Sequence, residues 1–174
     1  MANLVLDPPV FLAPMAGITD LPFRELVQGF GAGLVVSEMV ASQEIVQARP
    51  GARERAELGL SVESSAVQLA GREAHWMAQA ALMVEAQGAR LIDINMGCPA
   101  RKVTGGYSGS ALMKDLDHAL RLIDAVVAAV RIPVTLKMRL GWDLGSLNAA
   151  ILARRAQDAG IAMITVHGRT RCQF

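Results

Sequence analysis

Six short apolar runs recur along these 174 residues, at Val10–Met15, Leu34–Val36, Ala66–Leu69, Leu91–Met96, Val134–Met138 and Met163–Val166. All are brief, and several are β-branched and bounded by Gly, Pro or charge, as buried parallel strands require. Between them lie helical patterns. Thr19 or Asp20 can cap a helix through Phe23, Leu26 and Val27, and Arg72 to Gln87 is rich in good helix formers and ends at Gly88. Asp117 is placed to cap Ala119 to Val130, which Pro133 prevents from continuing, and Ser146 to Asp158 stops before Gly160. Strands alternating with helices mean parallel βα units. Six units average about 29 residues each, close to the spacing of a (β/α)8 barrel, although a doubly wound sheet also alternates.

The phase of the polar residues separates the two. On Val134–Arg139 the residues Thr135, Lys137 and Arg139 share one face of the pleat, and Val134, Leu136 and Met138 the other. Asp93 and Asn95 oppose Ile92, Ile94 and Met96; Gln68 lies between Val67 and Leu69; Thr165, His167 and Arg169 oppose Ile164, Val166 and Gly168. A doubly wound sheet covers both faces with helices and would desolvate Lys137 with no evident partner. A barrel turns one face inward, so that Gln68, Asn95, Lys137 and His167 converge on its mouth. The expected fold is therefore α/β, a TIM-type (β/α)8 barrel represented by about its first six βα units.

Composition narrows the function classes. Apolar residues at 52% and charged residues at 19% give ample material for a core and exclude whole-chain disorder. The net charge is +1, yet residues 1–89 carry −5 and residues 90–174 carry +6, compatible with a phosphate-bearing ligand or RNA near the second half. Aromatics at 4% are too few for a stacking platform. Cys98 and Cys172 form no disulfide framework, which points to a reducing, cytoplasmic setting. The start has no basic n-region, and the longest pure apolar run, Ala125 to Val130, is far below a membrane span. No His/Cys/Asp cluster suggests a metal.

Two features carry chemistry beyond the polar ring. Cys98 sits in Asn95-Met96-Gly97-Cys98-Pro99 directly after a strand; Gly97 permits a sharp turn, and Pro99 holds Cys98 extended. A thiol is thereby presented at the mouth, where reactive groups belong. The next segment, Thr104 to Ser110, has three glycines and the aliphatic hydroxyls of Thr104, Ser108 and Ser110, and reads as a mobile loop that could close over a substrate.

Ala13-Pro14-Met15-Ala16-Gly17-Ile18-Thr19-Asp20, Val67-Gln68-Leu69-Ala70-Gly71, Asp93 to Pro99, Leu136-Lys137-Met138-Arg139 and Val166 to Arg171 occur in that order. Together they resemble the tRNA-dihydrouridine synthases, most closely the bacterial B type. The resemblance implies an FMN enzyme that reduces a uridine of the tRNA D-loop to 5,6-dihydrouridine, with NADPH as reductant. It implies that Pro14, Met15 and Ala16 line the flavin, that Gln68, Lys137 and His167 contact it, that Asn95 touches flavin and uracil, and that Arg139 faces the substrate. It makes Cys98 the acid that protonates uracil C5. A family member continues through strands seven and eight into a C-terminal helical tRNA-binding domain. Residues 1–174 are accordingly expected to be an incomplete FMN-binding barrel, a monomer when complete, with no membrane or metal partner. Two other readings remain open: an FMN barrel acting on a free pyrimidine, similar to dihydroorotate dehydrogenase, and a truncated, catalytically silent binding protein.

Overall fold

The computed structural model describes residues 6–59 and 65–173. Its strands are β1 (Phe11–Leu12), β2 (Leu34–Ala41), β3 (Ser65–Ala70), β4 (Leu91–Met96), β5 (Val134–Arg139) and β6 (Met163–His167). They form one sheet in the order of the chain, every neighbouring pair parallel. The helices α1 (Leu21–Gly29), α2 (Ser42–Val46), α3 (Ala52–Arg55), α4 (Ala74–Ala86), α5 (Arg101–Thr104), α6 (Leu116–Ala129) and α7 (Ala149–Asp158) fill the connections. This is a partial TIM barrel. Among the described residues β1 and β6 do not pair with each other, so the sheet keeps two edges.

The two faces of the sheet are chemically distinct. Val67, Leu69, Ile92, Ile94, Met96, Val134, Leu136 and Met138 join one apolar core with Met77, Ala80, Ala81 and Val84 of α4, Ala119, Leu122, Ile123 and Val126 of α6, and Leu152 and Ala156 of α7. The buried helix positions recur at three and four residues, the stripe that a helix lays on a sheet. The opposite face begins with a small apolar layer of Leu34, Val36, Ala66 and Leu91, and becomes polar toward the C-terminal strand ends. That gradient places the chemistry where barrels carry it.

Several local expectations are corrected. The first strand is two residues long instead of Val10–Met15, because Met15 accepts from the Ile18 and Thr19 amides and turns the chain away. Asp20 caps α1, accepting from Phe23 N at 3.1 Å. The cap of α6 is Asp115, which accepts from His118 N at 2.9 Å; Asp117 lies inside the first turn and pairs with Arg155 at 2.6 Å. α7 starts at Ala149, since Ser146 folds back on Asp143 in a turn. Gly88 and Gly160 follow α4 and α7 with φ of 98° and 100°, the left-handed backbone that glycine adopts without strain. Among the described residues no helix is long and apolar enough to cross a membrane.

The cap assignment has a direct check. Asp115→Ala, which removes the N-cap, should lower unfolding stability by clearly more than Asp117→Ala does. Asp117→Ala, which removes an exposed ion pair, should cost roughly 0.2–0.5 kcal/mol. Urea denaturation of both variants reads the difference.

Candidate active site

Strand register stacks the polar face in levels. Gln68 stands opposite Asp93 and Asp93 opposite Thr135; one level up Asn95 stands opposite Lys137; above that Arg139 stands opposite His167. Lateral neighbours in this register are within side-chain reach. Thr135 Oγ1 donates to Asp93 Oδ1 at 2.7 Å, Gln68 Nε2 to Asp93 Oδ2 at 2.7 Å, and Asn95 Nδ2 to Gln68 Oε1 at 2.7 Å. Gln68, Asp93, Asn95 and Thr135 are all buried.

Asn95 also shapes the chain that leaves β4. Its Oδ1 accepts from the N–H of Gly97 at 3.1 Å and of Cys98 at 3.0 Å, folding the strand end into a turn around the amide. Ser110 closes the turn from the other side: its N–H and Oγ donate to Cys98 O at 3.0 and 2.9 Å. Gly109 has φ of 59°, and a Cβ there would stand 2.8 Å from Cys98 O, so only glycine lets this segment approach so closely. The Thr104–Ser110 stretch is thus no free loop. It runs from α5 into a 3-10 turn (Gly109–Lys114), with Ser108 Oγ donating to Gly71 O at 3.1 Å.

These groups border a cavity of about 220 Å³ lined by Pro14, Ala16, Met39, Gln68, Asn95, Gly97, Cys98, Pro99, Lys137, Arg139 and His167. Lys137 is half-buried, and among the described residues its ammonium has no carboxylate within 4.0 Å and no hydrogen-bond partner. Burial lowers its pKa, Asp93 opposes that, and Arg139 adds to it. Asp93 is pushed the other way: burial raises its carboxyl, against the hydrogen bonds from Gln68 and Thr135 and the charge of Lys137. His167 lies at the exposed end of β6; burial, then Arg139, Lys137 and Arg169, hold its imidazole below the usual range. Arg139 is more a clamp than a free cation. Its Nε donates to Gly97 O at 2.7 Å and one terminal nitrogen to Thr170 O at 2.9 Å, tying β4 to the segment after β6.

A family model described as dihydrouridine synthase matches residues 11–174. The chain belongs to the dihydrouridine synthase family. It is 66% identical to a probable tRNA-dihydrouridine synthase of Rhodobacter capsulatus, over 99% of this chain and 53% of the relative. A probable tRNA-dihydrouridine synthase of Rickettsia conorii is 55% identical, over 100% of this chain and 53% of its own. The tRNA-dihydrouridine synthase B of Xanthomonas campestris pv. campestris is 51% identical over 97% and 51%. The chain spans about half the length of the curated relatives it matches.

Of the residues singled out in this dihydrouridine synthase sequence, Pro14, Ala16, Gln68, Asn95, Cys98, Lys137, Arg139 and His167 meet at one cavity. Met15 does not. Its N–H and C=O both close on Thr19, and its residue is exposed beside the cavity. Asp93 and Thr135 were legible as polar positions but received no role; their signal is the pleat phase, two residues before Asn95 and Lys137. Met39 carried no signal, since a methionine in an apolar strand reads as core. A second cavity of about 530 Å³ adjoins through Ala16 and Met39, but two of its cations, Arg55 and Arg72, already pair with Glu44 and Glu73.

Burial of Asp93 makes a pH signature. A carboxyl whose pKa is raised in the folded chain keeps its proton after the unfolded chain has lost its own, so stability falls as pH rises from 3.8 through the raised value. Asp93→Asn removes that decline. The stability of the variant relative to the parent should rise with pH across this window in urea denaturation at a series of pH values; a flat difference contradicts it.

Proposed function

We propose that the protein is the catalytic part of an oxidoreductase that reduces a uridine in the D-loop of tRNA to 5,6-dihydrouridine, using FMN and NADPH. One observation carries this reading: in a member of this family, an unpaired half-buried ammonium, two buried amides and a strand-end thiol line one cavity. The relatives' names state tRNA and dihydrouridine; their extension to this chain is ours. We read residues 1–174 as the barrel portion of a cytoplasmic, monomeric enzyme, with a helical tRNA-binding domain in the further length that its relatives have.

The donor set fits a flavin. Lys137 supplies a half-buried ammonium with no ion-pair partner among the described residues, suited to a ring system that becomes electron-rich on reduction. Gln68 and Asn95 each retain one amide N–H beyond the hydrogen bonds that fix them, available to the ring or to uracil. Pro14 and Ala16, held by the Met15–Thr19 turn, supply one wall, and His167 another. FMN held by these residues would supply hydride chemistry for the uracil ring. The work of the remaining residues is orientation and proton supply. Cys98 gives the proton to uracil C5, and the Asn95 and Ser110 hydrogen bonds hold its backbone in place for that transfer. With Nε and one terminal nitrogen of Arg139 engaged, its second terminal nitrogen is the one left for the substrate. The uridine must leave the tRNA fold to reach this depth.

The tests use a chain carried to the length of its relatives. Lys137→Ala should lower retained FMN, read as 450 nm absorbance, or slow its reduction by NADPH; unchanged content and rate contradict the role. Cys98→Ala should bind FMN and oxidise NADPH nearly as the parent does. It should reoxidise reduced flavin with tRNA roughly 10²–10⁴-fold more slowly, the range for a positioned acid. Cys98→Ser should be almost as slow. Parent-like reoxidation by the Ala variant would remove Cys98 from the chemistry.

A further inference from the structure

We infer that Asp93 is a positioning residue: its carboxylate, acting through Gln68 and Asn95, sets the turn that carries Cys98. The direction of every hydrogen bond between them requires it. Each amide has one donating and one accepting end, and turning it over exchanges the two. A pair of adjacent amides, Gln68 and Asn95, is therefore ambiguous by itself, because both can turn over together and still bond to each other.

The two ends of the chain remove that ambiguity. At one end stand the backbone N–H groups of Gly97 and Cys98, which only donate; they require Asn95 to present Oδ1, at 3.1 and 3.0 Å. Asn95 must then offer Nδ2 to Gln68 Oε1, and Gln68 must offer Nε2 to whatever lies beyond, each at 2.7 Å. At the far end an acceptor is obligatory. Asp93 is that acceptor, and Thr135 Oγ1 occupies its other oxygen at 2.7 Å, so both oxygens accept. Four hydrogen bonds of one sense thus run from the Cys98 and Gly97 amides to one carboxylate. Gln68, Asp93 and Thr135 are at most 6% exposed, so water cannot stand in for a missing acceptor. The Gln68 amide itself is seated by Ser37 Oγ, which accepts from Gln68 N at 3.1 Å and fixes where its side chain starts.

This deepens the reading of Cys98 as the proton donor and takes its functional meaning from it, but the physical coupling is measurable without flavin or tRNA. Asp93→Leu keeps the volume and removes the acceptor. Asp93→Asn keeps an acceptor for Gln68, because the Thr135 hydroxyl can rotate to accept from the new amide. If Asp93 sets the turn, Asp93→Leu should speed amide hydrogen exchange at Gly97 and Cys98 about fivefold or more, the factor that one lost net hydrogen bond is worth. It should also speed alkylation of Cys98 by iodoacetamide, while Leu122 and Ile123 amides in α6 exchange at the parent rate. Asp93→Asn should restore parent behaviour within about twofold. Should Asp93→Leu fail to fold, Gln68→Met severs the same chain one link on and must loosen Gly97 and Cys98 in the same way. The inference is overturned if the variant that folds leaves both readouts at parent values, if α6 loosens equally, or if Asn does not rescue. Loss of uridine reduction in every chain, with this local coupling intact, would instead remove the enzymatic reading alone.

Discussion

A carboxylate and an ammonium on the inward face of a parallel sheet constrain everything around them. Asp93 and Lys137 sit on β4 and β5, whose outward side chains are sealed beneath α4, α6 and α7. Neither charge can escape through that side, and burial works against both, raising the carboxyl and lowering the ammonium. The chain answers the two differently. Asp93 is satisfied from inside by Thr135 and Gln68, whereas Lys137 is left facing a cavity with no ion-pair partner among the described residues. A half-buried cation without an ion-pair partner is the kind of group that the proposed reading assigns to an electron-rich ligand.

The inward face is graded so that this arrangement costs little elsewhere. Leu34, Val36, Ala66 and Leu91 plug its lower part with apolar side chains; the hydrogen-bonded level of Gln68, Asp93 and Thr135 comes next, with Gln68 already reaching the cavity; the level of Asn95 and Lys137 lies above. Polar groups are thereby concentrated at the strand ends, where loops can deliver further groups to them. The Cys98 turn shows how. It is held from below by Asn95, from the side by Ser110, and across its neighbour Gly97 by Arg139. A glycine-rich segment is docked onto the Cys98 carbonyl because Gly109 has no side chain to prevent it.

The alternation of apolar runs with helical stretches, and the period-2 phase of Gln68, Asp93, Asn95, Thr135, Lys137 and His167, were legible in the sequence because pleat geometry is local: residue i and residue i+2 share a face whatever the rest of the chain does. The same locality made Cys98 recognisable, since Gly97 and Pro99 restrict the backbone on either side of it. Other features were not legible for the same reason turned round. Whether Asp115 or Asp117 caps α6 depends on which of them α7 draws away through Arg155. That Pro14 and Ala16 line the cavity while Met15 is not among its lining depends on the turn that Thr19 closes around Met15. That Arg139 is a clamp depends on two carbonyls, of Gly97 and Thr170, that are distant in sequence from it. The sequence by itself determined which side chains face inward and at what level. Only the tertiary structure decided which of them are spent on one another and which, above all Lys137, are left without a hydrogen-bond or ion-pair partner among the described residues, because partnership across strands is set by register between segments that the chain brings together only on folding.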